Sequence, residues 1–267
     1  MQNSTEMRNP KSTHIDTMPL INALALINEE NRAVSDAIDA ALPTIEAVCE
    51  KMIASIAAGG RIFYIGAGTS GRLGVMDAAE CPPTYGGAKD LFVGIIAGGP
   101  RCMFTAAEAQ EDDPESARRD LAEAGIKAGD VLIGISASGG AAYVVSALNY
   151  AKELGAVAVA LVNNKDTKME KAADLTIVLD TGAEVITGST RMKAGTAQKV
   201  VLNMLSTMAL VKNGCVYENM MVNLRPTNIK LRRRMIGIVC EILGCDEAEA
   251  EAHLVRADWV IRDAVRA

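Results

Sequence analysis

The chain has little of what most enzymes use for chemistry. Two histidines in 267 residues, His14 and His253, leave no multi-histidine metal site and make a Ser-His-Asp triad improbable. The six cysteines (49, 81, 102, 215, 240 and 245) form no CxxC pair, so they read as unbridged cytosolic thiols. Aromatic residues are only 3% of the chain, and a core must come from Ala, Val, Ile, Leu and the 13 Met. The longest uninterrupted apolar run, residues 156–162, is far too short to cross a bilayer, and the polar first 18 residues have no secretory apolar region. A net charge of −6 argues against a broad nucleic-acid or anionic-membrane surface. Any chemistry must therefore rest on carboxylates, hydroxyls, Lys or Arg, in a cytoplasmic protein.

Apolar runs at 61–65, 91–97, 131–136, 156–162 and 175–179 are continuous rather than alternating, as in parallel strands covered on both faces. Amphipathic segments such as 114–124 and 141–154 separate them. This order predicts an α/β fold, a five-stranded parallel sheet flanked by helices, with ligands at the carboxyl ends of the strands. Residues 1–58 read as a helical N-terminal segment and 59–225 as the sheet domain with a long following helix over 190–213. Residues 226–267 read as a small helical C-terminal appendage with helices near 228–243, 246–255 and 257–266. The basic run Arg232, Arg233 and Arg234 reads as a solvated helix face.

Gly66-Ala67-Gly68-Thr69-Ser70-Gly71 follows the first strand and opens a helix, the form of a dinucleotide fingerprint. The second strand runs into Ala97-Gly98-Gly99-Pro100 and lacks the carboxylate that would hold a ribose. A phosphate site fits better, because glycines admit an anion to backbone N–H groups while Thr69 and Ser70 add hydroxyls. Ser136, Ser138 and Gly139 form a second such loop, and Ser189, Thr190 and Lys193 lie in a third cluster before the long helix. Each alone is compatible with helix capping; together they point to a phosphorylated small ligand.

Two carboxylates stand out. Glu80 is expected at the end of the helix after the glycine loop, where an anion opposes the macrodipole at a cost of about 0.3–1 kcal/mol. Glu111 lies just ahead of Asp113-Pro114, which reads as the N-cap and first residue of a helix.

Several long motifs extend these readings: RIFYIGAGTSGRLGVMDAAECPPTYG, EDDPE, GISASG, EVITGSTRMKAGTAQKVVLNMLST and the N-terminal TEMRNPKSTHID. The chain, from about residue 5 to 228, resembles the N-acetylmuramic acid 6-phosphate etherases. The resemblance implies a sugar isomerase (SIS) fold and a homodimer with its active site near the subunit interface. It implies no cofactor or metal, a sugar-phosphate substrate, and a lyase reaction that releases D-lactate. It puts the two acid/base carboxylates on Glu80 and Glu111; the need for an acid of raised pKa assigns Glu80, expected in a partly desolvated pocket, as proton donor and Glu111 as the second acid/base. It puts the phosphate loops on Thr69, Ser70 and Ser138. A sugar-phosphate sensor or an aldose–ketose isomerase on the same fold is the alternative. Two departures stand out. Gly140-Ala141-Ala142 replaces the family's usual Arg-Thr-Pro after GISASG, while Ser136 stands where Ala is commoner. A lost hydrogen bond to a charged group corresponds to about 10- to 150-fold in phosphate affinity. The chain also ends at Ala267, sooner than most members.

Overall fold

In the computed structural model, residues 3–86, 90–105, 108–224, 226 and 228–265 are described. Two helices, α1 (Leu20–Glu30) and α2 (Arg32–Ala57), precede β1 (Ile62–Gly66) and α3 (Gly68–Tyr85). Then come β2 (Phe92–Ile96), α4 (Pro114–Glu123), β3 (Val131–Ser136), α5 (Ala142–Glu153), β4 (Val157–Val162), α6 (Lys168–Ala172) and β5 (Leu175–Val178). The long α7 (Lys193–Leu210) leads through a wide turn to the short β6 (Val216–Tyr217) and β7 (Met220–Met221). The tail holds α8 (Ile229–Leu243), α9 (Glu247–Arg256) and α10 (Ile261–Ala264). The expected third tail helix is shorter than 257–266, and residue 266 lies outside the described residues, as does residue 225 at the expected domain boundary.

The sheet is parallel, in the order β2-β1-β3-β4-β5. All five strands fall within one residue of their sequence positions because β1 and β3 are buried along their whole length and β4 nearly so. One face packs Tyr64, Ile133 and Leu161 against α2, α3 and α7 through Met52, Cys81, Val201 and Leu205. The other packs Phe63, Leu132 and Ala160 against α4, α5 and α6 through Leu121, Leu148 and Met169. Leu224, Met235, Val239, Leu254 and Ile261 form a separate core in the C-terminal segment.

Helix α3 departs from expectation. It does not stop at Glu80 but carries Pro82 and Pro83 in its last turn. Proline removes a donor and crowds the preceding turn. Here the Thr84 hydroxyl donates to the Glu80 carbonyl at 2.8 Å, and Gly86 N–H donates to the Pro82 carbonyl, so the turn closes. Glu80 therefore lies inside the helix. The glycine pair at its start is steric: a Cβ on Gly71 would lie 2.4 Å from the Gly66 carbonyl oxygen, so α3 could not seat on the end of β1.

The N-terminal residues form a strap over the carboxyl ends of the strands. Asn164, buried after β4, donates to the Thr5 hydroxyl at 2.9 Å and to the Ala137 carbonyl at 2.8 Å. Asn9 donates to Glu30 at 2.7 Å, and the same carboxylate pairs with Lys193 Nζ at 2.7 Å and with Lys11. Burial opposes ionisation of Glu30, but the bonds from Lys193, Lys11 and Asn9 outweigh it and pull its carboxyl down to about 2. A depressed carboxyl pKa contributes stability above the unfolded value and loses it as pH falls through the folded one. Glu30→Gln is expected to cost about 3 kcal/mol near neutral pH, leaving Lys193 buried without its counter-ion. Denaturant unfolding should show this deficit shrinking between pH 4.5 and 2; a deficit independent of pH would contradict the assignment.

Candidate active site

β1 and β3 are neighbours, but the chain leaves β1 toward β2 on one side and returns to β3 on the other. Such a reversal opens a crevice at the carboxyl ends of the strands. A pocket of about 290 Å³ occupies it, lined by Gly68, Thr69 and Ser70 from the first turn of α3, Ser136 at the end of β3 and Ser138 just beyond it. Thr190, Glu111 and Glu6 complete its walls. The N-cap position of α3 is Ala67, with no side-chain cap, which leaves the first amides of an 18-residue helix available to an anion.

The loop hydroxyls are held by specific bonds. Ser70 is buried and donates to Gln198 Oε1 at 2.9 Å; Gln198 donates on to Asn163, which donates to the Leu179 carbonyl. This chain ties the first turn of α3 to α7 and to the ends of β4 and β5. Ser136 Oγ accepts from Gly139 N–H and lies 3.3 Å from Ser138 Oγ, which accepts from Gly140 N–H. Ser136 thus adds a hydroxyl to this wall. Gly139 shapes the loop against Thr167 rather than lining the pocket.

Glu111 reaches the pocket through its neighbours. Arg72 of α3 donates to the Met103 carbonyl at 3.0 Å, holding the loop after β2. A turn over Glu108–Asp112 then leads to Asp113, whose side chain caps α4 by accepting from Glu115 and Ser116 N–H, with Pro114 at the first helical position. Burial, and then the nearby Asp112 charge, raise the Glu111 carboxyl above its ordinary value.

Besides Gly139, three expected site residues lie elsewhere. Glu80 is exposed and about 15 Å along the α3 axis from Ser70, beyond the reach of its side chain, so within one chain it is neither desolvated nor in the pocket. Lys193 is only 4% exposed and bound to Glu30, and the first α7 amides are already satisfied by the buried Glu184, which accepts from Lys193 and Ala194 N–H. Ser189 is outside the lining, with only Thr190 of that cluster reaching it. Glu6, Gln198 and Asn164 escaped the sequence reading; the TEMRN string carried the only local signal for the first.

Among the described residues that line the pocket none is cationic, so an anion there would be held by amides and hydroxyls. Among the described residues no three His, Cys, Asp or Glu side chains gather as a metal cluster, and no helix is long and apolar enough to cross a membrane. A larger open groove of about 790 Å³ lies between α4 and α5, but two of its cations, Arg118 and Lys152, are paired with Glu153 and Asp174. All six thiols are free, and burial pushes Cys49 up to about 11 and Cys81 up to about 12, so both stay protonated at neutral pH.

The sheet order and crevice define a SIS-domain protein. The SIS domain family model matches residues 113–208, and the model described as the glucokinase regulatory protein N-terminal SIS domain matches residues 44–152. The c3406 protein of E. coli CFT073 has the same fold, with TM-score 0.57 and 18% identity over 76% of this chain and 97% of that one. A phosphoheptose isomerase from Francisella tularensis also shares it, with TM-score 0.55 and 16% identity over 72% of this chain and 98% of that one. Closer in sequence is N-acetylmuramic acid 6-phosphate etherase 2 of Vibrio parahaemolyticus, 48% identical over 98% of this chain and 87% of the relative. The N-acetylmuramic acid 6-phosphate etherase of Halalkalibacterium halodurans is 47% identical over 98% of this chain and 88% of the relative. The chain belongs to the N-acetylmuramic acid 6-phosphate etherase family and is an enzyme.

Removing the Gln198 bridge should disturb the loop that presents the α3 amides. Gln198→Leu leaves the Asn163 oxygen and the Ser70 hydroxyl without their buried partner, at about 1–3 kcal/mol for an unsatisfied group. Calorimetric titration is expected to show weaker inorganic phosphate binding as well as a lower melting temperature; unchanged phosphate affinity would contradict this role.

Proposed function

We propose that the protein cleaves the D-lactyl ether of N-acetylmuramic acid 6-phosphate to N-acetylglucosamine 6-phosphate and D-lactate, by elimination followed by hydration. The observation that carries this reading is the convergence of the uncapped α3 amides, the Thr69, Ser136, Ser138 and Thr190 hydroxyls and the Glu111 carboxyl on one pocket. Amides and hydroxyls suit a phosphate, and the carboxyl suits proton transfer beside it. Near full-length similarity to relatives named for this substrate supports the choice of sugar.

The chemistry follows from the groups available. Opening the sugar ring exposes an aldehyde at C1, which acidifies the C2 proton. Glu111, with its raised pKa, is a stronger base than an ordinary carboxylate and takes that proton. The C3–O bond breaks with its electron pair going to the lactyl oxygen, which must be protonated as it leaves. Water then adds to the unsaturated intermediate, hydroxyl at C3 and proton at C2, completing the sugar product.

The proton for the leaving lactate comes, in this proposal, from Glu80 of a second copy. Glu80 lies on an exposed stretch of α3 beside the exposed Met76, so a homodimer that covers this surface would desolvate it and carry it to a neighbouring pocket. Six free thiols suit a reducing compartment, and the cytoplasm is the proposed location.

Glu111→Gln is expected to lower D-lactate release about 10²- to 10⁴-fold, as for loss of a general base. Since the base must be ionised, the acid limb of wild-type kcat/KM should lie above the ordinary carboxylate range; a limb at or below that range, or full activity of Glu111→Gln, would refute the role. Mixing Glu80→Gln with Glu111→Gln subunits tests the dimer. If each site draws the two acids from different subunits, reassociation restores about a quarter of wild-type activity. No recovery from confirmed mixed dimers would refute the shared site.

A further inference from the structure

The strap places a second carboxylate, Glu6, in a pocket suited to an anion. Its backbone is fixed on both sides. Thr5 is fully buried with its N–H on Asn164 Oδ1, and Ser4 Oγ donates to the same oxygen at 3.1 Å. Three residues beyond Glu6, Asn9 is tied to Glu30 and to the Ala183 carbonyl. Space for the carboxylate comes from Gly188 (φ +74°): a Cβ there would stand 3.3 Å from Glu6 Oε2. Among the described residues the Glu6 carboxylate makes no hydrogen bond or ion pair, although its backbone is anchored closely on either side.

A carboxylate in this position repels a phosphate dianion or a lactyl carboxylate. It attracts neutral donors, the hydroxyls and the acetamido N–H that a phosphorylated amino sugar carries between those two charged ends. We infer that Glu6 is a positioning residue that accepts hydrogen bonds from uncharged donors of the sugar, so that the N-terminal strap is part of the substrate site. The identity of the sugar rests on the etherase reading; the neutral-donor role does not.

The test compares wild type, Glu6→Ala and Glu6→Gln for binding of N-acetylglucosamine 6-phosphate and of inorganic phosphate by calorimetry, alongside steady-state lactate release. Glu6→Ala is expected to weaken sugar-phosphate binding about 10- to 100-fold, the range for a lost hydrogen bond to a charged group, while inorganic phosphate binds as in wild type. The loss should appear in KM more than in kcat, and Glu6→Gln, which keeps an acceptor oxygen, should recover much of it. Melting temperatures should match because the side chain has no internal partner. Wild-type sugar-phosphate affinity in Glu6→Ala would overturn the inference. So would an equal loss of inorganic phosphate binding, which would mean that the strap merely supports the pocket. Were wild type to release no lactate yet show this binding pattern, the etherase reading would fail and the role of Glu6 would stand.

Discussion

The adjacency of β1 and β3 is the constraint on which the rest depends. Because the two strands pair from Ile62 with Val131 to Gly66 with Ile135, the loops that leave them emerge side by side. The helices that follow diverge, α3 to the face with α2 and α7, α5 to the face with α4 and α6. Among the described residues no strand or α-helix fills the space between them at the strand ends, and the first turn of α3 and the Ser136–Ser138 stretch border it. The Gly66–Gly71 contact is what this closeness demands, since any side chain at either position would meet backbone.

Around that crevice the protein spends charge on positioning rather than on attracting an anion. Lys193 and Glu30, distant in sequence, join the start of α7 to the end of α1, and Asn9 and Lys11 add the strap to the same carboxylate. Such a pair offsets its desolvation only when hydrogen bonds surround it, and Glu30 has several. Glu184 satisfies the α7 amides a few ångströms away. The positive end of α7 is thereby consumed internally while that of α3 stays open, so the two helix starts have different uses although a Ser- and Thr-containing string lies at each.

This difference marks the limit of what the sequence makes legible. The strands are readable because continuous Val, Ile and Leu runs are what a doubly covered sheet needs, and the Asp113-Pro114 cap is readable because its bonds are local. The end of α3 is not, since Pro82 and Pro83 break helices by local rule and are retained here by the Thr84 bond and the packing of Cys81. Lys193 reads as a phosphate ligand because its motif is basic; its partner Glu30 is 163 residues away. Glu80 is distinctive in its motif, yet it faces outward in a single chain. Glu6 and Gln198 were missed for the same reason: each reaches the pocket or its supports only through long-range contacts, with Asn164 or with Ser70.

The account is tested most directly by a crystal structure with N-acetylglucosamine 6-phosphate bound. It predicts density for the phosphate against the first amides of α3 and the Ser138 hydroxyl, the C2 and C3 atoms facing Glu111, and Glu80 of the partner subunit across from them. A phosphate bound instead in the groove between α4 and α5, or a sugar turned with C2 away from Glu111, would contradict it.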